Sequence, residues 1–273
     1  MSYLENFNYS ITGSTEQRQK LVFLHGVMGF GLNWRTVTKA LDSAFQCLVY
    51  DQRGHGRSFH PENGYAPEDY AQDLKLILDE LGWNQVNLVG HSMGGRNALE
   101  FAHRFPSRVA KLVIEDIGPV MRETAAESLL TLLNSVPVPF ENKRLAKEFF
   151  DTKFLEIFKA RDDREGIAQF FYANIIEDKQ GRAVWRFSEK GVRESIVAGR
   201  TQDRWSEIET LQMPTLLVRG EHSRDLPRDL FDEVLKRNPS IQGIEIKGAG
   251  HWVHSDQPEA FIAALRTFLL MPL

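Results

Sequence analysis

The sequence contains one cysteine and no long apolar run. Cys47 therefore has no partner for a disulfide within the chain. Its apolar neighbours, Leu48 and Val49, indicate a small core residue rather than a reactive thiol. No stretch approaches the roughly 18 apolar residues that a membrane span needs, and the N-terminus lacks the basic and apolar regions of a secretory signal. These absences predict a cytoplasmic location and no membrane span.

Positive charge and cofactor motifs are also scarce. The chain has 33 lysine and arginine residues against 37 aspartate and glutamate residues, which gives a formal net charge of −4. A basic surface that would bind nucleic acid is therefore not expected. The sequence has no cluster of cysteine and histidine, no P-loop and no glycine-rich dinucleotide motif. We expect neither a metal nor an organic cofactor.

The sequence does have a globular composition and a regular alternation of strands and helices. Hydrophobic residues make up 42% and charged residues 26% of the 273 residues, enough for a large core. The alternation predicts a mostly parallel central sheet with helices on both faces. The predicted strands are an edge strand within 3–12 and core strands at 21–24, 46–50, 86–89, 109–114, 214–219 and 243–246. The predicted helices of this part are 32–41, 67–81, 96 to before Pro106, 227–237 and 259–270.

Between residues 120 and 210 the alternation stops. Helical periodicity continues there without a convincing buried strand. The predicted helices are 122–136, 141–160, 163–177 and 188–198. We interpret this stretch as a helical cap inserted into an α/β core. The resulting division is a core domain of residues 1–119 and 211–273 and a cap of residues 120–210.

The strongest chemical signal is Gly90-x-Ser92-x-Gly94, between a predicted strand and a predicted helix. Glycine on both sides of the serine fits a turn too tight for a Cβ atom. Such a turn exposes the serine Oγ at a helix N-terminus, where developing negative charge is favoured. Ser92 is therefore a candidate nucleophile. The alternative is a glycine-rich turn in which Ser92 only caps the helix.

A nucleophilic serine needs a base, and His251 is the histidine best placed to supply one. It follows the last predicted strand through the flexible turn Gly248-Ala249-Gly250, which can bring an imidazole over the sheet edge. His254 lies three residues further on and is the weaker candidate. We predict His251 as the general base.

Two positions could supply the carboxylate that orients this base. Asp116 directly follows the strand at 109–114, whereas Glu115 should point to the opposite face. After the strand at 214–219, a Gly-x-x-Asp spacing would place the acid at position 223, which is Ser223. Glu221 and Asp225 lie nearby but off that spacing, and Asp225 is the stronger of the two. The sequence favours Asp116 and leaves Asp225 open.

An acyl-transfer site also needs donors for the oxyanion. One should be the backbone N–H of Met93, at the start of the helix after Ser92. The second should come from the loop His25-Gly26-Val27-Met28-Gly29, through the N–H of Val27. His25, at the end of its strand, is expected to brace this loop by hydrogen bonds.

These motifs resemble the α/β-hydrolase superfamily over essentially the whole chain. Within it, the more specific likeness is to small bacterial carboxylesterases of the YbfF type and their mitochondrial abhydrolase-domain relatives. The resemblance implies the α/β-hydrolase fold, with the cap inserted after the sixth strand in the family's count. The motifs that carry it are His25-Gly26, Asp51-x-Arg53-Gly54-His55-Gly56-x-Ser58, Gly90-His91-Ser92-Met93-Gly94-Gly95, Glu115-Asp116-Ile117-Gly118-Pro119, Arg219-Gly220-x-x-Ser223 and Gly250-His251-Trp252-Val253-His254-x-Asp256-x-Pro258.

The resemblance also implies roles for single residues. The family's acid follows its sixth strand, which implies Asp116 here, and its serine at the position of Ser223 hydrogen-bonds to the triad. Trp252, in the shared histidine motif, is a candidate for contact with the substrate or support of the triad. Arg96 is another such candidate and departs from the family, which more often has lysine there. The run Ser-x-Gly-Gly-Arg is also similar to menaquinone-pathway lyases on this fold.

The function implied is a serine carboxylesterase that cleaves short- to medium-chain esters through an acyl-enzyme. Its partner would be a small-molecule ester, and the chain would be a monomer or homodimer. One alternative is C–C bond or enol-lactone hydrolysis, or a menaquinone-type lyase reaction. A basic cluster of Arg53 and Arg96 would favour that chemistry on acidic substrates. Further alternatives are a cofactor-free perhydrolase and a non-catalytic binding protein on a hydrolase scaffold.

Overall fold

A seven-stranded sheet lies at the centre of the structure, a computed structural model that describes residues 2–15, 19–120 and 123–272 without the side chains of residues 123, 124 and 200. The strands are Tyr9–Thr12 (β1), Gln19–Leu24 (β2), Phe45–Tyr50 (β3), Val86–His91 (β4), Val109–Glu115 (β5), Ile175–Glu177 (β6), Ala183–Trp185 (β7), Thr215–Gly220 (β8) and Ile241–Ile246 (β9). The strand order of the sheet is β1-β3-β2-β4-β5-β8-β9, and β6 and β7 form a separate pair.

The sheet is parallel except at one edge. Only β1 pairs antiparallel, with β3, and the other five neighbouring pairs of the sheet run parallel. The predicted mostly parallel sheet is confirmed. Because the carboxyl ends of parallel strands share one edge, the loops after β2, β4, β5, β8 and β9 converge there. The insertion follows β5, which is the fifth strand in the order of this chain. The same strand was called the sixth in the sequence analysis, where strands were numbered as in the family.

Helices cover both faces of this sheet, as predicted. The helices are Arg35–Leu41 (α1), Pro67–Glu80 (α2), Met93–Arg104 (α3), Glu123–Asn134 (α4), Lys143–Asp151 (α5), Lys153–Ile157 (α6), Arg164–Ala173 (α7), Glu189–Thr201 (α8), Trp205–Glu209 (α9), Arg228–Arg237 (α10), Val253–Asp256 (α11) and Pro258–Leu270 (α12).

Alternate residues of β2 belong to the two layers on either side of the sheet. Leu21 and Phe23 share a core with α1 and α12, whereas Val22 and Leu24 share one with α2, α3 and α10. Cys47 on β3 is buried in the first of these cores.

Between β5 and β8, the chain forms six helices, α4 to α9, within the described residues. Their apolar side chains make a third core rich in phenylalanine, including Phe150, Phe154 and Phe171. Met28, from the loop after β2, belongs to the same core. The inserted helices therefore pack directly on a loop at the carboxyl edge of the sheet. None of the helices described is both long enough and apolar enough to cross a membrane.

The sequence showed no convincing buried strand in this insertion, whereas the structure contains two short, partly buried strands there. β6 and β7 pair antiparallel, so the helix predicted at 163–177 ends at Ala173. A turn explains the pairing, because Asp178 Oδ1 accepts the backbone N–H groups of Gln180 and Arg182 at 2.9 Å each. Gly181 supplies the positive φ of 80° that this turn needs.

Two other helices of the insertion also differ from their predicted bounds. The helix predicted at 141–160 is divided into α5 and α6 at Thr152, whose φ of −129° and ψ of −77° are not helical. Of the helix predicted at 122–136, residue 122 lies outside the described residues, and the helix ends at Asn134.

Candidate functional site

Ser92 occupies a strained turn between β4 and α3. Its φ of 53° and ψ of −118° lie where non-glycine residues rarely occur. The flanking glycines are required by space, since a Cβ on Gly90 would lie 2.3 Å from the carbonyl oxygen of Gly94. A Cβ on Gly94 would lie 2.3 Å from that of Leu24. The sequence motif thus produces a serine held at the first turn of α3.

His251 is in hydrogen-bond contact with this serine. Its Nε2 lies 2.9 Å from Ser92 Oγ, and its backbone carbonyl accepts a hydrogen bond from His91 Nε2 at 2.9 Å. Gly248, with a φ of 71°, makes the turn that carries the chain from β9 back over the sheet edge. Burial lowers the pKa of His91 well below its ordinary value, so His91 acts as a neutral donor.

Asp116 lies on the other side of the imidazole. Its Oδ2 is 2.8 Å from His251 Nδ1, and its side chain is fully buried. The backbone N–H of Gly220 donates to Asp116 Oδ1 at 2.8 Å, and Ser223 Oγ donates to Oδ2. Burial raises the pKa of Asp116, while the hydrogen bonds from His251, Ser223 and Gly220 oppose that rise. Ser223 thus contacts the carboxylate that the sequence favoured.

Asp225, the other candidate acid, also lies near the imidazole. Its Oδ2 is 3.5 Å from His251 Nδ1, and about a third of its side chain (35%) is exposed. Burial alone would lower the pKa of His251. The charge of Asp225, followed by the hydrogen bond and charge of Asp116, outweighs burial and raises that pKa to about 9. Asp116 makes the shorter contact, and Asp225 adds negative charge beside it.

The loop after β2 lies against Ser92. A Cβ on Gly26 would be 3.3 Å from the Cβ of Ser92, and Met28 has a φ of 60°. His55 Nε2 accepts the N–H of Met28 at 3.1 Å, and burial lowers the pKa of His55 to about 3, which keeps this acceptor neutral. His25 Nε2 accepts the N–H of Gln52 at 2.9 Å. Two buried histidines therefore hold the backbone that carries Val27.

His254 is directed away from Ser92, towards Glu115. The backbone N–H and Nδ1 of His254 both lie 2.8 Å from Glu115 Oε1, and both side chains are buried. His91 joins them in a group whose potential metal-ligand atoms lie within 4.8 Å of one another. The carboxylate of Glu115 is already engaged by His254, however. The adjacent acids Glu115 and Asp116 thus reach two different histidines.

A cavity of about 760 Å³ opens over Ser92 and His251. Val27, Met93, Arg96 and Trp252 line it as well, so these predicted residues are brought together. The rest of its wall comes largely from the insertion, whose individual lining residues the sequence did not identify, because no local motif marks them. Apolar residues that line the cavity from α4, α7 and α8 are Leu129, Leu132, Ile167, Phe170 and Ile196.

The structure does not bring Arg53 and Arg96 together as a basic cluster in the cavity. Arg53 Nε donates to Asp73 Oδ2 at 2.6 Å, and Arg53 Nη1 donates to the carbonyl of Gly64 at 2.7 Å. That ion pair neutralises Arg53, which does not line the cavity. Arg96 lines it and is 4% exposed. A cluster of Arg53 and Arg96, the condition that would favour C–C bond, enol-lactone or lyase chemistry on acidic substrates, is therefore not met.

This sheet order, together with a serine, a histidine and an aspartate meeting at its carboxyl edge, defines a class of protein. The chain belongs to the alpha/beta hydrolase fold family, which matches residues 20–258. It is a hydrolase of that family.

Particular relatives resemble the chain over most of its length. It is 31% identical to mouse (Mus musculus) sn-1-specific diacylglycerol lipase ABHD11 over 96% of this chain and 84% of that protein. It is 26% identical to Esterase YbfF of Escherichia coli strain K12, over 95% of this chain and 98% of that protein. The solved structure of a marine microorganism esterase superposes with a TM-score of 0.82 at 26% identity, covering 96% of this chain and 98% of that one.

Proposed function

We propose that this hydrolase is a serine carboxylesterase that cleaves short- to medium-chain esters through an acyl-enzyme on Ser92. The observation that carries the proposal is one continuous hydrogen-bond chain, from Ser92 Oγ through His251 to Asp116. Nucleophile, base and orienting acid stand in the order that acyl transfer requires. The Ser92 end of this hydrogen-bonded series opens into a cavity large enough for a small ester.

In the first step His251 Nε2 takes the proton of Ser92 Oγ, and Oγ attacks the ester carbonyl carbon. The carbonyl oxygen becomes an oxyanion, to which the N–H groups of Met93 and Val27 would donate. When the tetrahedral intermediate collapses, the bond to the alcohol oxygen breaks, and His251 gives its proton to the departing alkoxide. The acyl group remains esterified to Ser92.

In the second step water replaces the alcohol. His251 takes a proton from the water, whose oxygen attacks the acyl carbon, and then returns the proton to Ser92 Oγ as the acid leaves. Asp116 holds the imidazole with Nδ1–H towards the carboxylate, so that Nε2 is free to act as base. Its burial and its hydrogen bonds from Gly220 and Ser223 fix that orientation.

The substrate range follows from the insertion. We propose residues 120–210 as a cap domain on a core of residues 1–119 and 211–273, because α4, α7 and α8 supply the apolar wall of the cavity. The esterase and lipase names of the relatives support an ester as substrate. An apolar wall of this kind would hold the acyl chain while Ser92 attacks the carbonyl.

The test compares hydrolysis of p-nitrophenyl butyrate by the wild type and by Ser92→Ala. The variant should lose about six orders of magnitude in kcat or fall to background, because the nucleophile is removed. Ser135→Ala, at a serine directly after α4 whose Oγ donates to the carbonyl of Leu132, is the matched control and should keep wild-type activity. Equal activity in the wild type and Ser92→Ala would overturn the assignment of the nucleophile. A wild type without activity on any ester would overturn the proposed function.

A further inference from the structure

We propose that Arg96 binds a carboxylate of the substrate, so that the preferred esters carry a second, ionised carboxyl group. This inference rests on the proposed function, since Ser92 would cleave the ester that Arg96 selects. The chemical class implied is the monoester of a dicarboxylic acid.

Arg96 is placed to reach a molecule bound at Ser92. It lies on α3 one helical turn after Ser92, and the two residues line the same cavity. The side chain is only 4% exposed, so its charge is largely removed from bulk water. A substrate group that reaches Arg96 therefore meets a cation at low local dielectric, where charge–charge attraction is strong.

The hydrogen-bonding capacity of Arg96 is mostly unused. A guanidinium has five N–H donors. Nη1 donates to the carbonyl of Gly199, whereas Nε and Nη2 are buried and have no hydrogen-bond partner among the described residues. Buried donors without acceptors are costly. A carboxylate supplies two acceptor oxygens in the planar arrangement that matches a guanidinium.

The charge of Arg96 is not balanced by a contacting carboxylate. Its pKa is lowered to about 10, first by burial and then by the like charge of Arg204, while the charge of Asp225 opposes that change. Arg204 itself is bound by Glu100 and Glu207. Gly199, which accepts the hydrogen bond from Arg96 Nη1, lies in the last turn of α8. The negative end of the dipole of α8 therefore stabilises the charge of Arg96 on the Nη1 side. The contact leaves Nε and Nη2 without an acceptor among the described residues.

The other arginines that line the cavity are either paired with a carboxylate or exposed to solvent. Arg161 lines the cavity but pairs with Asp163 at 2.8 Å and donates to Ser128 at 3.0 Å. Arg224 lines the cavity with an exposed side chain. Within the described part of the chain, Arg96 is the buried arginine of the cavity wall that contacts no carboxylate. The apolar residues that α4, α7 and α8 contribute, together with this buried cation, suit an apolar chain that ends in an anion.

The experiment uses two methyl esters of equal shape, monomethyl glutarate and methyl 5-methylhexanoate, in which an isopropyl group replaces the carboxylate. The readout is the ratio of their kcat/KM values, measured by titration of the acid released. The wild type should favour the glutarate ester by roughly 10- to 100-fold, the range expected for hydrogen bonds to a charged group. Arg96→Met should lower this ratio by a similar factor. Arg161→Met removes the same charge from the cavity wall and should change the ratio by less than about threefold, since Asp163 already neutralises it.

Three results would overturn the proposal: a wild type that prefers the neutral ester, an Arg96→Met variant that lowers both rates equally, and an Arg161→Met effect as large as that of Arg96→Met. The second would show that Arg96 only joins α3 to α8. If Arg96→Met fails to fold, Arg96→Lys replaces it as the test. Lysine keeps the positive charge but lacks the planar guanidinium that binds both carboxylate oxygens, so the ratio of kcat/KM for the glutarate ester to that for the neutral ester should still fall about tenfold. An unchanged ratio in Arg96→Lys contradicts the proposal.

A failure of the proposed function is recognised separately. If the wild type cleaves neither methyl ester nor p-nitrophenyl butyrate, the esterase assignment fails, and Arg96 is then judged by calorimetric binding of glutarate. Binding to the wild type that is weakened at least tenfold by Arg96→Met would support the carboxylate site. Equal binding to both, or no binding to the wild type, would overturn it.

Discussion

Nδ1 of His251 lies near two carboxylates that differ in burial. Asp116, at 2.8 Å, is fully buried and accepts further hydrogen bonds, whereas Asp225, at 3.5 Å, is partly exposed. A buried, hydrogen-bonded carboxylate can fix the tautomer of an imidazole, whereas a partly exposed one acts mainly through its charge. The two acids should therefore be separable by different measurements.

Replacing Asp116 tests the orienting role. Asp116→Asn keeps the shape but removes the acceptor that sets the tautomer, and kcat should fall by about 10⁴. Asp225→Asn, the matched control, should reduce kcat far less. Steady-state hydrolysis of p-nitrophenyl butyrate measures both variants. A large loss in Asp225→Asn with near-normal activity in Asp116→Asn would reverse the assignment.

The pH dependence of activity tests the role of Asp225. Only unprotonated His251 can accept the serine proton, so kcat/KM for a neutral ester should rise with pH and level off above about 9, the raised pKa of His251. The same raised pKa stabilises the fold fully below the ordinary value of 6.5, and that contribution is lost as pH rises through about 9. Asp225→Asn should move the activity midpoint towards lower pH.

The control for this pH profile is Asp162→Asn, which removes an equal charge from the cavity wall. The midpoint of this variant should equal that of the wild type, because the charges that raise the pKa of His251 most are those of Asp225, Asp116 and Glu115, not that of Asp162. A wild-type midpoint at or below 6.5, or equal shifts in both variants, would contradict this account.

At the scale of elements, the short helix α11 is tied to the end of β5 through Glu115 and His254. The carboxylate accepts both the backbone N–H and Nδ1 of His254, and the imidazole packs on Trp34 with ring centroids 4.4 Å apart. Because His251 lies only three residues before His254, this buried contact also restrains the turn that carries His251.

Removing the contact between Glu115 and His254 should lower the free energy of unfolding. Glu115→Ala leaves two buried donors of His254 without an acceptor, and the free energy of unfolding should fall by about 2–6 kcal/mol, since each unsatisfied buried donor costs about 1–3 kcal/mol. Glu115→Gln keeps one acceptor oxygen and should lose clearly less. Urea denaturation of both variants measures the difference. A loss below about 1 kcal/mol in Glu115→Ala would show that the contact contributes little.

The ends of elements explain which parts of the site could be predicted from the sequence. Ser92 and His251 stand beside glycine turns at strand ends, and the parallel sheet brings those ends to one edge, so both positions could be read from local motifs. Asp116 and Asp225 follow neighbouring strands, β5 and β8. The choice between them depends on loop conformation, including the positive φ of 54° at Asp116, which the sequence pattern does not encode.

At the scale of the whole molecule, the core sheet was predictable and the insertion was only partly so. Periodicity identified the helices of the insertion in outline but missed the β6–β7 hairpin, whose strands have three residues each. The individual residues of the cavity wall could not be predicted, because they depend on how α4, α7 and α8 pack over the sheet. That packing is non-local, and no short motif determines it.

Phe170 on α7 stands between two cavities, and its removal should widen the range of substrates. It contacts Trp252 with ring centroids 5.4 Å apart, and both residues line the main cavity and a neighbouring one of about 300 Å³. Phe170→Ala should join the two spaces, so the preferred p-nitrophenyl ester should move to longer acyl chains.

The control for this prediction is Phe158→Ala, since Phe158 packs in the core of the insertion without lining either cavity. Its acyl-chain profile should keep the wild-type optimum. An optimum that stays unchanged in Phe170→Ala would indicate that the two spaces do not communicate during turnover.

The burial of Cys47 makes the chain suitable for site-specific fluorescent labelling. Burial raises the pKa of its thiol to about 12, so this single cysteine is a poor nucleophile towards maleimide dyes in the folded protein. A cysteine introduced at Val197 on α8, where the native side chain is 50% exposed, would then be the reactive thiol. A dye at that position would report motion of the insertion during turnover without background from the core.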